Sequence, residues 1–329
     1  MAGVTLLRRV LIAVGVAAML VALAGVGAHF SGLVSTRIVL VASFTPLLVL
    51  AGVLAVALLL AARQRVLAGL AVVVVALGAW TQAPLFRGTA ANAADGGVSI
   101  TLMQANIRLG EADPQALVDT VRAEDVDVLT VVELTPGAAR GLAAAGLQRL
   151  LPHSYLRPRE GGGGAAIFAK YPLSEPAELD GFALHNIRAL ADIPGAGSVA
   201  VYALHPVPPY PQPAWKWDLE LRRLRGVFAA ERHPLIVGAD FNSTYDHRRF
   251  RDLLGDSAPG ATAAPMFDAA EHVGAGIVTT YPADRWYPPL LAIDRILSRG
   301  ATPVSFHRVD LPGSDHRGVV GGIRLPRAD

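Results

Sequence analysis

The chain has no cysteine among its 329 residues, which excludes disulfides and any metal site built on thiolates. Charge is also scarce. Charged residues make up 17% of the chain against 52% hydrophobic ones, too apolar a balance for an ordinary soluble protein. The shortage is local: residues 1–87 contain six arginines and no lysine, aspartate or glutamate. Several catalytic signatures are missing too. No Gly-Lys-Ser/Thr follows the glycine run Glu160–Gly164, so there is no P-loop. No His-Glu-x-x-His is present, and the Asp-x-His and Gly-Asn-His pairs of calcineurin-like two-metal phosphoesterases do not occur where such an enzyme needs them.

What stands at the N-terminus is a series of long apolar runs. Three of them, at about 10–30, 38–62 and 66–83, approach or exceed the roughly 20 apolar residues that cross a bilayer core. They predict three transmembrane helices in a membrane anchor over residues 1–87, because a cleaved signal peptide would not be followed by two further spans. Pro46 falls inside the second run and is expected to be tolerated there, since packed neighbours satisfy the freed backbone groups. Arg8, Arg9, Arg63 and Arg65 flank one side of these spans and only Arg37 and Arg87 the other. Positive-inside logic then predicts a multi-pass cell-membrane protein, with the bilayer as its partner, a cytoplasmic N-terminus and an extracytoplasmic C-terminal domain.

Beyond residue 87 the balance reverses to 23 basic against 27 acidic residues, because six of the 29 basic residues and none of the acids belong to the anchor. A net −4 lacks the basic footprint of a nonspecific nucleic-acid binder, which makes nucleic acid the less favoured partner. Residues 88–97 are small and polar and read as a linker. From residue 98 to 329, strand and helix patterns alternate, which predicts an α/β domain of about 230 residues. Asp113 and Pro114 are an N-cap and first helical position, and Thr135-Pro136 starts a helix expected to run to about Leu151. Trp217, Leu221, Leu224 and Phe228 have the spacing of a buried helical stripe. No feature identifies a protein partner.

The predicted strands end alike. "ITLMQAN" closes on Asn106, "VLTVVEL" delivers Glu133, "VAVYALHP" delivers His205 and "PLIVGADFN" delivers Asp240 and Asn242. "LLAIDRIL" carries Asp294 inside an apolar strand, and "GSDHRGVV" places Asp315 and His316 before the last strand. Asp240 shares strand parity with Ile236 and Gly238, and a carboxylate leaving a buried strand must be paired, hydrogen-bonded or metal-bound. Open α/β sheets gather ligands at the carboxyl ends of their strands, so these groups are expected to converge.

This ordered set, with "GGAAIFAKYPL" between Glu133 and His205, resembles the endonuclease/exonuclease/phosphatase superfamily over about residues 98–325. Two departures are visible. The usual Gly-Asp-Phe-Asn is here Gly-Ala-Asp-Phe-Asn, and Lys170 stands where an arginine is common. The resemblance implies a DNase I-like four-layer α/β sandwich of two packed mixed sheets flanked by helices, and metal-dependent hydrolysis of a phosphorylated substrate. It implies Mg²⁺ or Mn²⁺ held by Glu133 with Asn106 and Asp315. Asp240 would orient or deprotonate the attacking water, and Asn242 would hold the phosphoryl oxygen. His316, its tautomer fixed by Asp294, and His205 would contact the phosphate from opposite sides. Within the superfamily the chain looks like the membrane-anchored actinobacterial branch that includes teicoplanin-resistance proteins.

Two insertions, "PVPPYPQPAWKW" after His205 and "RWYPPLL" before Asp294, are expected to rim the site with Trp215, Trp217, Trp286 and Tyr287. Tryptophan and tyrosine favour the membrane interface. A lipid-linked phosphate or pyrophosphate is therefore the expected substrate. A metal-dependent nuclease is the alternative, and an anchored binding module that keeps the fold without the chemistry is the second.

Overall fold

The computed structural model describes residues 2–89, 96–255 and 266–328. The linker expected over 88–97 falls mostly outside them. The chain divides into two compact units, one of residues 1–84 with Tyr245–Arg248 and one of 85–244 with 249–329.

The first unit contains helices α1 (Ala2–Ser31), α2 (Thr36–Ser43), α3 (Thr45–Ala61) and α4 (Arg65–Gln82). Two helical segments, Thr5–Ser31 and Arg65–Phe86, are long and apolar enough to cross a membrane. The second expected span is broken: α2 and α3 meet at 70°. Pro46 lies in the first turn of α3, where its missing N–H costs nothing, so the helix restarts at this point instead of running through. Close packing relies on small residues, as at Gly78, where a Cβ would come within 2.4 Å of Val49 Cγ2. Three buried polar side chains meet here, although Gln82 Oε1 is left without a partner. His29 Nδ1 lies 2.8 Å from Asp246 Oδ1, to which Gln82 Nε2 also donates at 2.8 Å.

The second unit runs β1 (Val98–Asn106), α5 (Pro114–Ala123), β2 (Val128–Val132), α6 (Pro136–Ala144), β3 (His153–Arg157), β4 (Ala165–Ala169), β5 (Leu173–Glu178), β6 (Ile187–Ile193), β7 (Gly197–Leu204), α7 (Ala214–Ala230), β8 (Leu235–Asp240), α8 (Arg248–Leu253), β9 (Phe267–Asp268), α9 (Ala269–His272), β10 (Asp294–Arg299), β11 (Thr302–Val309) and β12 (Gly318–Leu325). Asp113 caps α5 by accepting from Gln115 N and Ala116 N. The helix after Pro136 is shorter than the sequence predicts, because Gly146 takes φ +88° and only a 3₁₀ turn follows it.

Two six-stranded mixed sheets result, ordered β11-β12-β1-β2-β4-β3 and β5-β6-β7-β8-β10-β9. Each has one parallel pair at its centre, β1 with β2 and β7 with β8. Ile100, Leu102, Val128, Val201, Ile236 and Ile296 fill the layer between the sheets. The opposite parity of β1 and β2, Met103, Ala105, Leu129 and Val131, packs with Leu117, Val121 and Leu142 of α5 and α6. On the far side, Phe228 of α7 meets Tyr202 of β7 edge-on with centroids 5.7 Å apart. Gly238 lets the sheets close: a Cβ there would stand 2.0 Å from Thr130 Oγ1. Thr130 donates to Gln104 Oε1 at 2.9 Å, and Gln104 Nε2 is buried without a partner.

Candidate active site

The inter-sheet columns of apolar side chains end in polar ones. Asn106 continues Ile100 and Leu102, His205 continues Val199 and Val201, Asp240 continues Ile236, and Asp294 precedes Ile296. Period-two alternation therefore brings four polar groups from both sheets to one end of the sandwich. Asp240 and Asp294 are directly opposite each other in the antiparallel β8–β10 pair. Asp294 is the first residue of its strand and not, as the sequence predicts, inside it.

Glu133 breaks the rule of alternation. A strict continuation of β2 would send it to the helix side with Leu129 and Val131, but its φ of +62° is left-handed. The turn carries Glu133 Oε1 to within 3.0 Å of Asn106 Nδ2. Among the described residues, Arg108, Leu109, Glu133 and Asn242 are four of only seven non-glycine residues with positive φ. Such positions cost about 1–3 kcal/mol each and gather where a site over-determines the backbone. Here the restraints are visible: Arg108 N donates to Asn106 Oδ1, Leu109 N to Glu133 Oε2, and Asn242 N to Asp240 Oδ1.

Asn106 Nδ2 is 3.0 Å from both Glu133 Oε1 and Asp240 Oδ2, so two carboxylates from different sheets converge on one donor. His205 Nε2 faces the same pair, 3.9 Å from Glu133 Oε1 and 3.6 Å from Asp240 Oδ2. His316 completes the cluster, with Nδ1 2.8 Å from Asp294 Oδ2 and Nε2 3.7 Å from Asp240 Oδ2. Burial opposes a charged His316 ring, but the Asp294 and Asp240 carboxylates outweigh it and push the pKa up to about 10. Burial raises the Asp240 carboxyl above its usual range, against the pull of His316. Asp315 is half-buried and also raised, first by burial, with His316 and Arg108 pulling it back. Asn242 Nδ2 is anchored on Pro206 O at 3.0 Å, which leaves its second N–H to donate.

Asn186 has a role the sequence did not reveal. It is fully buried, its Oδ1 accepts from His205 N at 2.8 Å, and its Nδ2 donates to Leu184 O at 3.0 Å. It therefore holds the backbone of His205, yet an asparagine before a strand reads like any turn residue. Lys170 is not among these groups; it pairs with Asp125 and Asp127 at 2.6 and 3.0 Å.

Of the four aromatic residues expected to rim the site, Trp217 is placed elsewhere. Trp286 is 95% exposed and packs edge-on against the half-buried Tyr287, and Trp215 is 58% exposed. Trp217 is buried, with Nε1 donating to Ser243 Oγ at 2.9 Å. Helix α7 begins at Ala214, so Trp217 turns inward with Leu221, Leu224 and Phe228, and the helical stripe prevails over the rim. It supports the turn after Asp240, because Ser243 Oγ in turn donates to Phe241 O.

The donor set suits a small hard cation. Carboxylate and amide oxygens dominate, no sulfur is available, and Asp294 Oδ1 is buried without a hydrogen-bond partner. Ligand atoms of Asp240, Asp294 and His316 lie within 4.8 Å of one another. Glu133, Asn106 and Asp240 form a second oxygen-rich face, whose side-chain oxygens are each oriented by a hydrogen bond.

The pattern of the Endonuclease/Exonuclease/phosphatase family matches residues 103–316. Among solved structures, a D. rerio TDP2 humanised by 14 mutations aligns with a TM-score of 0.55 and 15% identity, covering 68% of this chain and 98% of that one. D. rerio TDP2 complexed with a single-strand DNA product gives 0.54 and 14% identity over 68% and 98%. A Bacteroides thetaiotaomicron endonuclease/exonuclease/phosphatase family protein gives 0.52 and 15% over 70% and 99%. At such identities these structures establish a shared fold. Comparison with curated protein sequences finds no match.

Proposed function

Because the chain belongs to the Endonuclease/Exonuclease/phosphatase family of metal-dependent phosphoesterases and nucleases, we propose that it is a membrane-anchored hydrolase of lipid-linked phosphates or pyrophosphates with an extracytoplasmic active site. The convergence of Glu133, Asn106 and Asp240 from two sheets carries the hydrolytic reading. In it, residues 98–329 are the catalytic domain and 1–87 the anchor.

Glu133, Asn106 and Asp315 would hold Mg²⁺ or Mn²⁺. A divalent cation bound there would supply charge neutralisation of the phosphoester and polarisation of the phosphoryl oxygen. Asp240, its pKa raised by burial, orients the attacking water and accepts its proton. The free N–H of Asn242 donates to a phosphoryl oxygen. His316, charged and fixed through Nδ1 by Asp294, offers Nε2–H to the phosphate, and His205 approaches from the other sheet. Asn186 and Trp217 hold the backbones that present His205 and Asn242.

Three features support a lipid-linked substrate. The chain has two or three candidate membrane spans, its remainder carries net −4, and Trp286 and Trp215 are exposed on the catalytic unit. The resemblance to teicoplanin-resistance proteins adds cell-wall lipid carriers as a natural substrate class. The nuclease alternative draws on the neighbour that holds a single-strand DNA product.

The two readings separate in one assay. Full-length protein in liposomes is given a polyprenyl pyrophosphate or DNA, with Mg²⁺ or with EDTA. Lipid cleavage should exceed DNA cleavage, EDTA should abolish it, and Trp215→Ala with Trp286→Ala should lower it without changing turnover of a soluble phosphoester. Faster cleavage of DNA overturns the lipid reading. For the orientation, a reporter fused after residue 90 should be active only if it is a type that works outside the cytoplasm; activity of a cytoplasm-only reporter reverses the topology.

A further inference from the structure

A cleft of about 420 Å³ opens beside His316, lined among others by Arg108, Asp284, Asp310, Ser314 and Arg317. Its walls are made of the segments that carry the catalytic cluster. Ser314 Oγ donates to Asn106 O at 2.8 Å, Ala283 N to Asp315 O at 2.7 Å, and Asp113 N to Pro312 O at 2.8 Å. Arg108 stands on the left-handed backbone that Asn106 and Glu133 restrain. Both arginines are held only by acids near the surface. Arg108 pairs with Glu111 and Asp284 at 3.1 Å, and Arg317 with Asp310, which is 74% exposed. The Nε–H of Arg317 is buried without an acceptor.

Ion pairs this near the surface contribute little to stability. A phosphate accepting forked hydrogen bonds from a guanidinium is stronger, so it would displace Asp310 or Asp284 at little cost. The structure has thus placed two exchangeable guanidinium groups one residue position from His316 and two from Asn106.

Resting on the hydrolytic reading above, we infer that this cleft is a second anion subsite, in which Arg108 and Arg317 hold a phosphate group adjoining the one under attack. The substrate class it selects carries two neighbouring phosphates. A pyrophosphate and a strand with consecutive phosphodiesters both meet that description, whereas an isolated monophosphate does not.

The test is calorimetric titration of full-length protein in detergent micelles, in Mg²⁺ buffer, with inorganic pyrophosphate and with orthophosphate. Pyrophosphate should bind at least about tenfold more tightly. Arg108→Gln and Arg317→Gln should each reduce that preference and together erase it, with orthophosphate affinity nearly unchanged. Asp310→Asn should strengthen pyrophosphate binding, an increase that a purely structural role for the Asp310–Arg317 pair would not produce. Orthophosphate that binds without any preference for pyrophosphate overturns the subsite alone. Failure of both anions to bind overturns the subsite and the hydrolytic reading together. A second titration compares an isoprenyl pyrophosphate with its monophosphate, and a dinucleotide with and without a 5′-phosphate. The pair whose discrimination disappears in the double variant identifies the source of the second phosphate, and loss in neither pair counts against the subsite.

Discussion

Glu133→Gln and Asp240→Asn are each expected to lower turnover by at least about two orders of magnitude, the scale on which removal of a metal ligand or a general base is felt. The geometry makes the loss specific. Glu133 Oε1 and Asp240 Oδ2 converge on the same Asn106 Nδ2 from different sheets, so neutralising either removes one of the few carboxylates that face a cation. Stability should respond differently from activity. The folded-state pKa of Asp240 is raised, chiefly by burial, so above that pKa its ionised form costs folding free energy, a cost absent at acid pH where the group is protonated in both states. At neutral pH, Asp240→Asn in metal-free protein should leave the melting temperature unchanged or raise it, and Glu133→Gln should change it little. Steady-state kinetics together with thermal melts test both halves, and full activity in either variant would remove that residue from the machinery.

His316→Gln is expected to reduce turnover by about 10²- to 10⁴-fold, the usual contribution of a positioned proton donor. The pH profile gives the assignment a second readout. With its pKa held up at about 10, His316 keeps its proton through neutral pH, so the wild-type rate should fall on an alkaline limb only near that value. Asp294→Asn removes the strongest support for the charged ring and should shift the limb toward neutral pH. The sign for stability follows from a folded pKa above the ordinary 6.5. The contribution of His316 is complete below about pH 6.5, declines as pH rises, and is lost above about 10. Wild type should therefore lose stability relative to His316→Gln across that window. Parallel pH–stability curves for the two proteins would contradict the charged ring.

Much of the site could be read in the sequence because strand parity and strand ends are local signals. Asn106, Asp240 and Asp294 fall in phase with apolar residues that had to face the core, and "GADFN" and "SDH" named the chemistry. Glu133 was legible as a residue but not as a direction, since its left-handed backbone reverses the alternation that a sequence reading assumes. Asn186, Arg108 and Arg317 went unseen because their roles depend on partners far away in the chain. Edge strands were the weakest part of the fold. The β5 segment Leu173–Glu178 is mostly exposed and contains Pro176, a composition that only an edge accepts and that looks like a loop. The β3 segment His153–Arg157 has no fully buried residue to announce it. The break before α3 was missed for a related reason: apolarity measures whether a segment can enter a bilayer and is silent about where its helix restarts.

The direct pairing of Asp240 with Asp294 across β8 and β10 has a consequence for how this chain can vary in length. Side chains on a strand alternate faces with every residue, so one inserted or deleted residue between Leu235 and Asp240, or between Asp294 and Arg299, would turn an acid away from the cluster while leaving the composition almost unchanged. The segments Pro206–Pro213 and Pro282–Leu290 lie outside those strands and can lengthen, shorten or change character without moving that pair. Descendants of such a chain are free to trade substrates through their loops, but their register across these twelve strand residues is fixed.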